Sequence, residues 1–218
     1  MPRKAITAAL KPEHALIAQG RRVIVGIDEA GRGAWAGPVY AGAVILPLDR
    51  GDLSEVLAGV RDSKQMTARA RSLLIATIKL HALAWGVGAA SSAEIDTLGI
   101  VAATCLAMRR AFDQVTAHAP LAPDHLLLDS IKCADLDTWG VPYQSMVRGD
   151  RLSLSIAAAS VLAKVTRDEV MRDMHLLYPQ YHFHDHKGYG TAKHRAALQT
   201  FGACAIHRMS FAPMRVQA

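Results

Sequence analysis

The 218-residue chain is short of two things: cysteine, with three residues, and any long uninterrupted apolar run. Each shortage excludes something. Cys105, Cys133 and Cys204 lie far apart, form no C-x-x-C pair and are odd in number. Neither a disulfide scaffold nor a cysteine zinc site is expected, and a reducing cytoplasm fits. The apolar stretch from Leu73 to Ala90 is interrupted by Lys79 and His81, so it falls short of the ~18 residues that a membrane span needs. The opening MPRKAITAALKPEHALIAQG contains no apolar core of a secretory signal. What is present is a hydrophobic content of 51%, ample for the core of one domain over 1–218. Lys and Arg number 25 against 19 Asp and Glu, a net +6 that favours a polyanionic partner.

Patterning predicts a short amphipathic helix over 5–19 and strands over 23–28 and 39–46. Thr67 is placed to cap a helix running to about Leu80. A third strand is expected over 82–89. Ser91 and Glu94 have capping-box spacing and open a helix through Phe112. HLLLD at 125–129 reads as a strand ending in an acid, and 153–177 as a long helix stopped by Tyr178-Pro179. A loop rich in His and Gly leads to a last short helix over 193–201. Strands first, then strands alternating with helices, predict a mixed sheet flanked by helices, an α/β fold.

Chemistry concentrates in VIVGIDEAGRGAWAGPV at 23–39. An apolar strand runs into Asp28 and Glu29, and a glycine turn with one cation, Gly31-Arg32-Gly33, follows at once. Acids at strand ends hold hard cations, and an open backbone turn beside a cation holds phosphate or sugar. Asp129 ends another strand, and Asp168 shares the packed face of the long helix with Lys164. Together the four acids would balance two divalent ions, Mg2+ or Mn2+, spaced for in-line displacement at a phosphodiester. Regular strand geometry would point Asp28 and Glu29 to opposite faces. The chain is therefore expected to leave that geometry at Glu29, or else Glu29 serves through its carbonyl or a water. Gly31, Gly33 and Ala36 also fit a dinucleotide fingerprint, but a strand rather than a helix follows, which opposes an oxidoreductase. In HKGYGTAKH at 186–194, Tyr189 between two glycines is expected to be exposed and suited to stacking on a base or sugar. The alternating His182, His184 and His186 are read as composition rather than as a metal site.

These segments resemble the bacterial ribonuclease HII family over about residues 13 to 213. The matching stretches are GIDEAGRGAWAGPVYAGAVIL (26–46), DSKQMTARAR (62–71), EIDTLGIVAATCLAMRRA (94–111), LLLD (126–129), SIAAASVLAKVTRDEVM (155–171), YPQYHFHDHKGYGTAKHRAAL (178–198) and HRMSFAP (207–213). The resemblance implies an RNase H-like core over about 20–177, after an N-terminal helix and before a helical, substrate-contacting part over about 178–218. It implies hydrolysis of the RNA strand of RNA–DNA hybrids, and incision 5′ of single ribonucleotides in duplex DNA in ribonucleotide excision repair, leaving 5′-phosphate and 3′-hydroxyl ends. It further implies two Mg2+ or Mn2+ ions on Asp28, Glu29, Asp129 and Asp168, and a cytoplasmic monomer without membrane contact. Gly31, Arg32 and Gly33 would sense the 2′-hydroxyl and Tyr189 the RNA–DNA junction, with Lys64, Arg148 and Lys187 holding the backbone. Gly99, Ser130 and Arg148 depart from the family pattern. A catalytically silent hybrid-binding module is the rival reading, and the complete acid set disfavours it.

Overall fold

The computed structural model describes residues 7–215. Five strands, β1 (Ile24–Ala30), β2 (Val39–Ile45), β3 (Ala84–Ala90), β4 (His125–Asp129) and β5 (Tyr143–Met146), form one mixed sheet in the order β3-β2-β1-β4-β5. β1 pairs antiparallel with β2, and β2 with β3; the β1–β4 and β4–β5 pairs are parallel. Because Ile27 pairs with Leu128, the next residues, Asp28 and Asp129, stand side by side on neighbouring strands.

The helices are α1 (Lys11–Ala18), α2 (Leu53–Val56), α3 (Ala68–His81), α4 (Ser92–Leu98), α5 (Ile100–His118), α6 (Gly149–Leu152), α7 (Leu154–Leu177), α8 (Phe183–His186), α9 (Ala192–Phe201) and α10 (Ala212–Arg215). Alternation along β1 and β2 sends Val25, Ile27, Ala41 and Ala43 against α5, while α3 and α7 pack on the other face around Val44, Ala158 and Leu162. Gly26 and Gly42 make the second layer tight. A Cβ on either would stand 2.2 Å from Ser155 backbone or 2.4 Å from the Ala159 carbonyl, so α7 lies directly on the sheet. None of the described helices is long and apolar enough to cross a membrane.

Local signals hold well. Thr67 accepts from the Ala70 N–H, Ser91 and Glu94 form both halves of a capping box, and Ser153 caps α7. Several expectations are corrected. Residues 1–6 lie outside the described residues, and the first helix begins only at Lys11, with Pro12 in its first turn. The helix expected to run from Ser91 through Phe112 breaks at Gly99, whose φ of 79° is left-handed. β5 and α6 were not foreseen. Cys105 on α5 and Cys133 beyond β4 are joined as a disulfide. A 28-residue separation conceals that α5 packs over the sheet beside the end of β4.

Candidate active site

Carboxylate oxygens of Asp28, Asp129 and Asp150 lie within 4.8 Å of one another. β1 and β4 supply the first two; α6 supplies Asp150. The Gly149 N–H donates to Asp129 Oδ1 at 2.8 Å, which ties α6 to the strand end. The three acids repel one another in a buried place. Burial, then Glu29 and Asp129, push Asp28 well above the ordinary carboxylate range. Burial raises Glu29 against the pull of Arg32. Burial, Asp62 and Asp129 push Asp150 up to about 6. Lys64 is the answering cation: burial alone would lower it, but Asp28, Asp150, Asp62 and Glu29 carry it above its ordinary value.

Two site expectations change. β1 stays regular through Ala30, with Glu29 opposite Ala41 and Ala30 opposite Tyr40. The chain does not leave strand geometry at Glu29, whose carboxylate meets Arg32 Nη1 at 3.3 Å while still repelling Asp28. Asp168 is also absent from the group. Ser160, which stands beside Asp28 and donates its hydroxyl to Ser63 Oγ, lies two turns earlier on α7, about 12 Å along the helix axis from Asp168. There Asp168 is neutralised by Lys164 Nζ at 2.5 Å and Arg71 Nη2 at 3.5 Å. The sequence reading missed Asp150. Its one local signal was a glycine-acid step, Gly149-Asp150, just before the cap of a long helix.

Beside the acids runs a groove of about 520 Å³ lined by Glu29, Gly31, Arg32, Gly33, Ser63, Lys64, Lys164 and Tyr189. Five of the seven expected substrate contacts thus share one surface. Arg148 and Lys187 do not line it. Arg148 is exposed at the entrance to α6, and Lys187 bends its ammonium onto the His184 carbonyl. Tyr189 is half-buried rather than exposed, with Arg167 and Lys164 cations 5.4 and 5.6 Å from its ring centre.

Two fully buried arginines hold this surface, and neither was foreseen. Arg167 donates to the carbonyls of Pro38, Lys187 and Ala36 at 2.9, 2.9 and 3.2 Å. Arg208 donates to those of Gly37, Arg32 and Gly31 at 2.9, 2.8 and 2.8 Å. Burial, then Arg167, lowers Arg208 to about 9. A Cβ at Gly31, whose φ is 97°, would stand 2.0 Å from Arg167 Nε, so only glycine fits there. A neutral histidine network fastens the adjoining segment. His194 Nδ1 bonds the Tyr189 carbonyl at 3.0 Å and so is the donor; its Nε2 accepts from His207 Nε2 at 3.0 Å, and His207 Nδ1 accepts from the Cys204 N–H at 2.9 Å. His186 spans the Tyr181 carbonyl and the Gly188 N–H. Burial foremost lowers all three to about 4.

A mixed five-stranded sheet with helices on both faces and acids at the ends of two parallel strands is a ribonuclease H-type fold. The crystal structure of ribonuclease H2 from Pyrococcus horikoshii OT3 matches with a TM-score of 0.72 at 23% identity, over 89% of this chain and 96% of that one. The structure of Bst-RNase HIII in complex with Mn2+ matches with a TM-score of 0.67 at 18% identity, over 88% of this chain and 68% of that one. The family model described as ribonuclease HII matches residues 25–214. Ribonuclease HII of Synechococcus sp. (strain JA-3-3Ab) is 49% identical over 214 residues, 97% of this chain and 91% of that protein. The chain belongs to the ribonuclease HII family and is an endoribonuclease of the ribonuclease H type.

Proposed function

We propose that the chain hydrolyses the RNA strand of RNA–DNA hybrids and cuts 5′ of single ribonucleotides in duplex DNA. The observation that carries this reading is the convergence of Asp28, Asp129 and Asp150 within 4.8 Å, next to a groove with Arg32, Lys64, Lys164 and Tyr189. The donor set is all carboxylate, and burial together with the neighbouring carboxylates raises the proton affinity of Asp28 and Asp150, which fits two hard divalent cations of the Mg2+ or Mn2+ class. Such ions, when bound, supply Lewis-acid stabilisation of an in-line displacement at phosphorus. Asp28, Asp129 and Asp150 would hold them. Asp168 is reassigned to a positioning role through Lys164 and Arg71.

The rest of the surface handles the nucleic acid. Arg208 occupies the carbonyls of Gly31 and Arg32 and so fixes the glycine turn, which lets its backbone approach a ribose 2′-hydroxyl without an intervening Cβ. Arg32, Lys64 and Lys164 bind phosphates, and Tyr189 offers its ring to the sugar or base at the junction.

The test is incubation with Mg2+ of a labelled DNA duplex carrying one ribonucleotide, beside an all-DNA duplex and an RNA–DNA hybrid. The expected result is a cut 5′ of the ribonucleotide, abolished by EDTA and absent from the all-DNA control. Cleavage of the hybrid alone would discard recognition of single ribonucleotides. Tight binding without cleavage in either Mg2+ or Mn2+ would make the chain a hybrid-binding module.

A further inference from the structure

The histidine tract at 182–186 divides in the folded chain. His186 turns inward to its network, whereas His182, His184 and Asp185 place ligand atoms within 4.8 Å of one another on the outer side of α8. His184 Nε2 already stands 3.0 Å from Asp185 Oδ1. His175, near the end of α7, packs its ring 3.9 Å from that of His184, and its buried Nδ1 has no hydrogen-bond partner. We propose that His182, His184 and Asp185, with His175 as the adjacent fourth donor, form a second cation site that takes a zinc-class divalent ion rather than Mg2+.

The chemistry separates this site from the strand-end acids. Imidazole nitrogen suits zinc, nickel and copper, whereas carboxylate oxygen alone suits Mg2+ and Mn2+. Zinc–nitrogen and zinc–oxygen bonds near 2.0–2.1 Å place tetrahedral ligand atoms about 3.3 Å apart. The His184–Asp185 pair is already near that separation. The remaining contraction is about 1.5 Å at most from the 4.8 Å limit, within reach of side-chain rotation, since His184 and Asp185 are exposed. Lys193, which now shares Asp185, would be displaced to solvent. An ion held here would cross-link the end of α7 to the turn that carries Lys187 and Tyr189. It would therefore stiffen the substrate groove from outside.

Cobalt and zinc titrations of the tag-free full-length chain, in excess Mg2+ to occupy the strand-end acids, test the proposal. The expected result is one Co2+ per chain with the visible absorption of tetrahedral nitrogen–oxygen coordination, displaced by Zn2+, and a rise in Tm on binding. His184→Ala and His182→Gly should each weaken binding about tenfold or more, as loss of a metal-site group does. His182→Gly suits this purpose because His182 has φ 55°, which glycine adopts freely, so the fold is kept. Asp28→Asn should leave the titration unchanged. Failure to bind in excess Mg2+, binding indifferent to both histidine substitutions, or binding lost in Asp28→Asn would each overturn the site.

Discussion

The strand-end acids and the C-terminal histidines are both buried clusters of titratable groups, and they are built on opposite rules. In the histidine network every ring nitrogen that bonds does so in one consistent tautomer: His194 donates to Tyr189 and accepts from His207, which accepts in turn from Cys204. Nothing is lacking, the rings stay neutral, and their proton affinity drops to about pH 4. Among the acids, Asp28, Asp129 and Asp150 face one another with Lys64 as the answering cation, and burial and mutual repulsion raise the proton affinity of Asp28 and Asp150 instead. Buried groups that complete their bonds among themselves are scaffold. Buried groups left short of charge are waiting for something from solution. By this rule Asp168, with Arg71 and Lys164 already on it, belongs with the histidines.

The largest effect should come from removing one charge from the incomplete cluster. Asp28→Asn is expected to lower turnover at least about a thousandfold, a loss of ~4 kcal/mol of transition-state stabilisation. Binding of the hybrid should be kept or tightened, because repulsion of its phosphates falls. Single-turnover cleavage beside equilibrium binding separates the two quantities; near-normal turnover would sink the site assignment.

The pair Asp150→Asn and Asp168→Asn sharpens the comparison directly. Asp150→Asn should cost about a hundredfold in turnover while leaving Tm unchanged or raised, since it relieves repulsion. Asp168→Asn should destabilise by about 1–2 kcal/mol because it leaves the half-buried Lys164 and Arg71 short of their partner, with turnover of the folded enzyme reduced less than about tenfold. A reversed pattern in kinetics and melting would restore Asp168 as the catalytic acid.

The two clusters should also oppose each other in their response to pH. The folded-state affinity of Asp150 is raised to about 6, so its stabilising protonated form is lost as pH rises from about 4 through 6. The histidines are lowered to about 4, so their contribution is complete above about 6.5 and is lost as pH falls toward 4. In EDTA the raised acids offset only part of the slope from three histidines, and the Tm profile between pH 4 and 6.5 should rise gently with pH. Mg2+ should cancel the acid part and let Tm climb with pH across this window. The gap between the profiles should widen up to about 3 kcal/mol above pH 6, from Asp150 alone. Parallel profiles with and without Mg2+ would break the contrast.

How much of this was legible in the sequence depends on range. Thr67, Ser91 and Ser153 act through residues three positions away, and all three caps are where local chemistry puts them. Asp28 and Asp129 were legible because apolar strands point straight at them. Asp150 was not, since it reaches the cluster only through β5, four exposed or half-exposed residues without alternation, and the short α6 after it. Glu29 could be read either way until pairing with β2 showed the strand unbroken. The Cys105–Cys133 bond and the carbonyl-bound Arg167 and Arg208 depend on contacts across 20 to 177 residues, which spacing does not reveal.

The smallest predicted effect is at Tyr189, and it asks whether scaffold and site meet there. The network holds the residue through its carbonyl, by His194, while the ring itself lies in the groove over Arg167 and Lys164. Its position is therefore set by completed bonds, and its face is left for a ligand. Base or sugar stacking on an aromatic contributes about 1–3 kcal/mol, so Tyr189→Ala should lower kcat/KM on a duplex with one ribonucleotide by about tenfold. A continuous hybrid, held by phosphate contacts along its length, should suffer less. Tyr189→Phe keeps the stacking face and should behave as the parent. Equal losses in the Phe and Ala variants would move the role from the ring to the hydroxyl, and unchanged cleavage in Tyr189→Ala would remove Tyr189 from junction recognition.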